Sequence, residues 1–330
     1  MTEKNTTIPE NLKFDIHSHK VKSVIDILDS KKFSYSAEII PPRNGTDFLE
    51  VFSHVSELEK SKFDFISVTH GAGGSLRGGT LPIAYHSQNV YNLTSIAHLT
   101  CRGMTSEDLE NVLIDHHYFG IHNILALRGD PPDGLNESFK PAAGGFSYAY
   151  ELVKLIMKVN AGQYLKRSGF DTPEKEYREG IKTRFCIGVA CYPEDKRGND
   201  IAHLAVKKEA GADFAISQIV FDYDIFAQFF NKATTLWKDT FPILPGIRIP
   251  TSYKQLKRMK EKFGINVPDK LLQDMEKASD SEESMKNAGI EWATHFVQQI
   301  QSLGVKGIHF FIMGNPQHAI SVKENMHNGT

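Results

Sequence analysis

The sequence has no uninterrupted apolar run near the roughly 18 residues that a membrane-spanning helix needs. It also lacks a charge excess: 38 Lys and Arg stand against 40 Asp and Glu, for a net charge of −2 and a pI near 6.7. So even a balance offers no long-range attraction for nucleic acid or an anionic membrane, and neither is expected as a partner. Cysteine is scarce. Cys101, Cys186 and Cys191 form no C-x-x-C pair and cannot all pair with one another, which argues for free thiols in a reducing compartment. Residues 1–11 are polar and carry no apolar core of a signal peptide, so the expected location is the cytoplasm.

Several catalytic signatures are missing as well. Gly71-Ala72-Gly73 is followed by Gly74-Ser75-Leu76, so no complete G-x-G-x-x-G exists, and a dinucleotide would not be held in the Rossmann manner. There is no Walker A lysine, no H-E-x-x-H and no G-x-S-x-G elbow. The pairs His17/His19 and His116/His117 have no metal-ligand partners nearby, and no metal is expected.

What the chain does have is alternation. Short β-rich runs at Ser34–Pro41, Phe63–His70, Ile96–Cys101, His122–Gly129, Arg184–Tyr192, Phe214–Phe221, Phe241–Ile249 and Gly307–Met313 are separated by helical patterns. Phe48, Val51, Phe52, Val55 and Leu58 make one apolar stripe, with Thr46 read as its N-cap. Thr105 is placed to cap a second helix, with Asp108 at the third position. Similar stripes run from Ile225 to Trp237 and from Trp292 to Leu303. A helix between each pair of strands requires parallel neighbours. The strands read as mostly apolar on both sides, and eight β-then-α units fit a closed barrel better than an open sheet.

The fold expected is therefore α/β: a single (β/α)8 TIM barrel over residues 1–330. An additional helix carrying Val21, Val24, Ile25 and Leu28 is expected to close the barrel bottom, preceded by a polar arm over residues 1–20. Val159–Thr183, with nine charges in twenty-five residues, reads as a solvated insertion.

Chemistry in such a barrel collects at the C-terminal ends of the strands. Glu38, Thr69, His70, His98, Thr100, Arg128, Gly129, Asp130, Tyr192, Ser217 and Gln218 all fall there. Each has a structural reading too. An isolated Glu usually faces solvent, Arg128-Gly129-Asp130-Pro131-Pro132 makes a stiff turn, His98 fits a core, and Gln218 can serve neighbouring backbone.

Ser36-Ala37-Glu38-Ile39-Ile40-Pro41-Pro42-Arg43, Ser67-Val68-Thr69-His70-Gly71-Ala72, Ala97-His98-Leu99-Thr100-Cys101, Leu125-Ala126-Leu127-Arg128-Gly129-Asp130 and Ser217-Gln218-Ile219-Val220-Phe221-Asp222 occur in a telling order. Leu244-Pro245-Gly246-Ile247, Lys254-Gln255 and His309-Phe310-Phe311 extend the series. From Phe33 onward the chain resembles the methylenetetrahydrofolate reductases. The resemblance implies a flavin-bearing (β/α)8 barrel with tightly bound FAD. That flavin takes hydride from NADH or NADPH in one half-reaction and reduces 5,10-methylenetetrahydrofolate to 5-methyltetrahydrofolate in the other.

The resemblance also assigns residues. Glu38 is the general acid for opening the folate ring, and enclosure at the rim would keep its carboxyl protonated near neutrality. Asp130 is the second catalytic position, touching pterin and flavin. Thr69, His70, Ala72, His98, Arg128, Gly129, Asp130, Ala149, Tyr192, Asp200 and Lys207 are the FAD positions; Thr69, Asp130, Gln218 and Gln255 are the folate positions. Two departures stand out. Glu194-Asp195-Lys196-Arg197-Gly198 replaces a loop that holds a histidine in many relatives. Gly314-Asn315 stands where relatives have Asn-Arg, leaving Arg248 as the alternative for the folate carboxylate. No C-terminal regulatory domain is expected, and assembly of identical copies stays open. The rival readings are a flavin-free folate-binding methyltransferase barrel and a non-catalytic binding barrel.

Overall fold

The computed structural model describes residues 22–71, 78–131, 138–166, 176–194, 200–238 and 241–328. The order is α1 (Val24–Ser30), β1 (Ser34–Ile39), α2 (Leu49–Lys60), β2 (Phe65–Val68), α3 (Thr80–Val90), β3 (Thr94–Thr100), α4 (Ser106–Tyr118), β4 (Asn123–Leu127) and α5 (Ala149–Asn160). A short hairpin, β5 (Gln163–Tyr164) and β6 (Arg178–Glu179), precedes β7 (Cys186–Cys191), α6 (Asp200–Glu209), β8 (Phe214–Ile219) and α7 (Tyr223–Trp237). The chain ends with β9 (Ile243–Ile247), α8 (Tyr253–Phe263), α9 (Asp269–Lys277), α10 (Glu282–Ser302), β10 (Gly307–Phe311) and α11 (Gln317–Asn328).

Eight strands close into a barrel in the order β1-β10-β9-β8-β7-β4-β3-β2. Every pairing around it is parallel, from β1 with β2 through to β1 with β10. All eight expected strands are present, seven of them two to four residues shorter than the apolar run and β3 one residue longer. The TIM barrel expected from alternation is the fold observed.

The period-2 alternation divides each strand between two cores. Tyr35, Ala37, Ile39, Ile66, Val68, Ala97 and Leu99 face the helices and join the outer core. Phe65, Ile96, Leu125, Phe214 and Leu244 fill the lower interior, packed with Val24, Ile27 and Leu28 of α1. A capping box at Ser23 and Asp26 starts α1, and Asn123 at the foot of β4 accepts the Val24 N–H at 2.9 Å. The plugging helix is thus tied to the barrel bottom, leaving the opposite end open for chemistry. Val21 and the polar arm lie outside the described residues.

The strands are mostly apolar on both sides, with Ser36, Ser67, His98 and His309 as polar residues buried inside the barrel. Two expectations need correction. Thr46 does not cap α2; its hydroxyl donates to the Arg43 carbonyl at 2.7 Å, Asp47 takes the Leu49 N–H, and the helix begins at Leu49. Val159–Thr183 is only partly a solvated excursion. Val159, Tyr164 and Thr183 are buried, and Glu110 of α4 accepts the Leu165 N–H at 2.7 Å while pairing with Arg178 at 3.8 Å. Residues 167–175 of that stretch lie outside the described residues. The Thr105–Asp108 capping box forms as expected.

Candidate active site

At the C-terminal ends of the strands, β1 contributes Glu38, in register with Ser67 of β2 and Phe311 of β10. Glu38 is half-buried, and among the described residues its carboxyl has no hydrogen-bond partner. Burial without compensation pushes this carboxyl up to about 8. A group so placed holds a proton at neutral pH and can release it.

Thr69 follows β2 directly, its N–H bonded to the Ile39 carbonyl at 3.0 Å and its own carbonyl accepting from Thr80 at 2.8 Å. Its hydroxyl is buried with no partner among the described residues, as is Nε2 of His98 on β3. Two orphaned buried polar atoms on neighbouring strands are what a ligand with donors and acceptors would satisfy. Burial lowers the His98 pKa to about 3, helped by the nearby His309 and His70 imidazoles, so His98 is neutral. His70 sits beyond Thr69, its Nδ1 3.5 Å from the Thr100 hydroxyl, and burial lowers its pKa also. Ala72 lies outside the described residues.

After β4 the chain makes its tight turn at Gly129, with φ +87°. A Cβ there would stand 2.9 Å from Arg102 Cβ and 3.2 Å from Thr100 Cβ, so only glycine lets the turn approach β3 this closely. The turn leaves Asp130 and Arg128 exposed on the rim, with the Arg128 guanidinium 5.1 Å from the Phe139 ring centroid. Ala149 is buried as the first residue of α5.

Beyond β7, Lys207 of α6 donates to the Ala190 carbonyl at 2.7 Å and lies 5.6 Å from the exposed Tyr192 ring. Burial pulls its pKa below the ordinary lysine value. Asp200, seven residues earlier on the same helix, falls two turns away on the same side. It borders a cavity of about 410 Å³ together with Glu194, Lys232 and Asn266. Glu194 accepts the Asn266 N–H at 2.8 Å, tying the end of β7 to the connection between α8 and α9.

On the far side of the rim, Gln218 is exposed and its Oε1 accepts the N–H of Ile219 at 2.9 Å, so its amide NH2 group remains available. Arg248, half-buried after β9, donates from Nη2 to Gln255 Oε1 at 3.1 Å. Two residues expected separately as folate contacts are therefore held side by side.

Sequence reading gave no role to His309, which bonds to Ser36 at 2.8 Å and to Ser67 at 3.1 Å in the barrel interior. The local sign is slight: a single polar side chain on each of the otherwise apolar strands β2 and β10, with nothing to show that the two meet.

The family model for methylenetetrahydrofolate reductase matches residues 23–327. A relative from Arabidopsis thaliana, methylenetetrahydrofolate reductase (NADH) 1, is 32% identical over 311 residues, covering 93% of this chain and 50% of that protein. The 5,10-methylenetetrahydrofolate reductase of Escherichia coli is 28% identical, over 88% of this chain and 90% of its own length. The chain spans about half the length of the plant relatives it matches, 48% in the case of a probable reductase of rice. Among solved structures, a protein of Clostridium thermocellum that binds two copies of 5-methyl-5,6,7,8-tetrahydrofolic acid superposes with a TM-score of 0.59 at 12% identity, over 93% of this chain and 99% of that one. The extent of the family match decides the matter: this chain belongs to the methylenetetrahydrofolate reductase family.

Proposed function

We propose that this chain reduces 5,10-methylenetetrahydrofolate to 5-methyltetrahydrofolate, drawing on NADH or NADPH through bound FAD in two half-reactions. The observation that carries the reading is Glu38, an enclosed carboxyl with no partner among the described residues, held protonated by burial at the open end of the barrel. Opening the five-membered ring of the folate to an iminium requires a proton on the departing nitrogen. An acid whose pKa lies near the working pH is suited to supply it. After ring opening Glu38 is a carboxylate, and it favours the cationic one-carbon centre until reduction is complete.

The residues present fit a flavin. Thr69 and His98 each offer an unsatisfied polar atom, and the Gly129 turn lets backbone come close to a planar ligand. Arg128 and Lys207 would neutralise the diphosphate, Tyr192 would pack beside it, and Asp200 would hold a ribose hydroxyl. The flavin supplies the hydride transfer that no side chain can perform. Asp130 would hydrogen-bond the pterin edge, and the free amide of Gln218 would serve either pterin or nicotinamide carboxamide in one shared site. The Arg248–Gln255 pair would meet the folate tail in place of the arginine absent after β10. The Arabidopsis relative is named for NADH, which makes NADH the reductant to try first.

The test is an anaerobic visible spectrum of the purified protein, reconstituted with FAD where needed. A flavin band that bleaches with NADH and returns on adding 5,10-methylenetetrahydrofolate is the expected result. Glu38→Gln should keep the bleaching and lose the return. A protein that never takes up FAD would overturn the reading in favour of a flavin-free folate enzyme.

A further inference from the structure

His309 stands on β10 with its ring deep inside the barrel, between the hydroxyls of Ser36 on β1 and Ser67 on β2. Its hydrogens can be placed by counting. Ser36 Oγ has one hydrogen and donates it to the Ile308 carbonyl at 2.8 Å, so towards His309 Nδ1 it can only accept. Nδ1 therefore carries the ring proton. Burial lowers the His309 pKa to about 3, so the ring is neutral and Nε2 holds a lone pair. That lone pair receives the Ser67 hydroxyl at 3.1 Å. The chain runs one way, from Ser67 to His309 to Ser36 to a main-chain carbonyl. It ends on a group that cannot pass a proton on, which excludes a relay and leaves a clasp.

The clasp lies directly beneath Glu38. Ser36 precedes Glu38 by two residues, so both side chains leave β1 on the same face. Ser67 is the residue in register with Glu38 on β2, and His309 is in register with Ser36 on β10. The two strands that flank the acid are thus joined to its own strand by one imidazole. The titratable groups they bring to it are His70 at the end of β2 and His309 on β10, with His98 one strand further and Arg248 at the end of β9. Burial lowers the pKa of the three imidazoles, while the Arg248 guanidinium stays a cation and donates to Gln255 Oε1 at 3.1 Å. A neutral bridge offers the carboxyl neither a cation to ionise against nor a path for water from below.

We propose that His309, bridging Ser36 and Ser67 as a neutral Nδ1–H imidazole, is a positioning residue that holds β1, β2 and β10 beneath Glu38 and keeps the surroundings of that carboxyl dry and uncharged. The proposal rests on Glu38 being the acid, and its test separates the two. The protein is labelled with 13C at glutamate carboxyls and 15N at histidine, and Glu38 is assigned from the signal lost in Glu38→Gln. In the unaltered protein His309, assigned from the signal lost in His309→Ala, should show the Nδ1–H pattern and stay neutral to pH 5; His116, whose Nδ1 donates to the Val112 carbonyl, gives a second such signal that the variant retains. In His309→Ala the Glu38 midpoint should fall by about one pH unit or more as water enters. His309→Asn, which keeps a donor towards Ser36, should recover part of that shift. The alkaline limb of folate reduction should move with the midpoint, while flavin bleaching by NADH keeps its rate. A folded His309→Ala with an unmoved Glu38 midpoint overturns the proposal. Where His309→Ala does not fold, Ser67→Ala removes one bond of the clasp and is read by the same midpoint. An ordinary Glu38 midpoint in the unaltered protein would instead sink the acid assignment itself.

Discussion

Glu38 imposes a pH dependence on the stability of the whole protein. In the unfolded chain its carboxyl ionises near 4.5, whereas in the barrel it keeps its proton to about 8. Below pH 4.5 both states are protonated and stability is unaffected. As pH rises the unfolded state ionises first, so stability falls until the folded carboxyl ionises too. At 1.36 kcal/mol per pH unit, the loss has an upper bound of about 5 kcal/mol. Glu38→Gln should therefore match the parent at pH 4 and exceed it in urea midpoint at pH 8. His98 and His309 act in the acid range and cancel in that comparison. Equal midpoints at both pH values would show that Glu38 is not desolvated. Much of this residue-scale picture was legible beforehand. Glu38 stood out because a strand enclosed by helices has no wet face except at its end. His309 did not, because its partners lie 273 and 242 positions away and no local pattern points to them.

The elements show the same division between local and distant causes. The plugging helix α1 was readable from Val24, Ile25 and Leu28, yet nothing nearby reveals that its first N–H is received by Asn123, 99 residues on. Asn123→Ala would leave that buried donor unsatisfied, at a cost of about 1–3 kcal/mol. The expected result is a lower melting temperature with unchanged folate turnover, because Asn123 sits at the end of the barrel opposite the rim. Unchanged melting would mean that α1 is held by its apolar face alone. Thr46 misled for a local reason: threonine and aspartate side chains can bond to nearby backbone in a turn as readily as they cap a helix. The helices α8 and α9 are strongly periodic but so polar overall that few apolar residues mark their inner faces. Leu256 and Met259 on one, and Leu271 and Met275 on the other, are the residues they bury, amid long runs of charge.

For the molecule as a whole, the three thiols report on closure of the barrel. Cys101, Cys186 and Cys191 are buried, and burial pushes each up to about 12. The reactive thiolate is therefore almost absent at pH 8. An aromatic disulfide reagent should label none of them in the native protein while labelling all three in denaturant. A thiol that reacts as fast folded as unfolded would reveal a wall that opens locally. The closed barrel followed from counting alternations, since eight strands each backed by a helix leave few other arrangements. The tethering of the charged insertion through Glu110 did not, because composition tells how a segment is solvated and not what holds its ends.

The seam between β1 and β10 joins parts of the chain made far apart in time. Ser36 and His309 are 273 positions apart, so at typical elongation rates β1 waits roughly 15–55 s for its partner to be synthesised. Through that interval the Ser34–Ile39 edge is an unpaired strand, the kind of edge that invites mispairing with another chain. Barrel closure thus waits until β10 has been made. A pause between β9 and β10 would lengthen the exposure of that edge without altering a single residue of the finished protein.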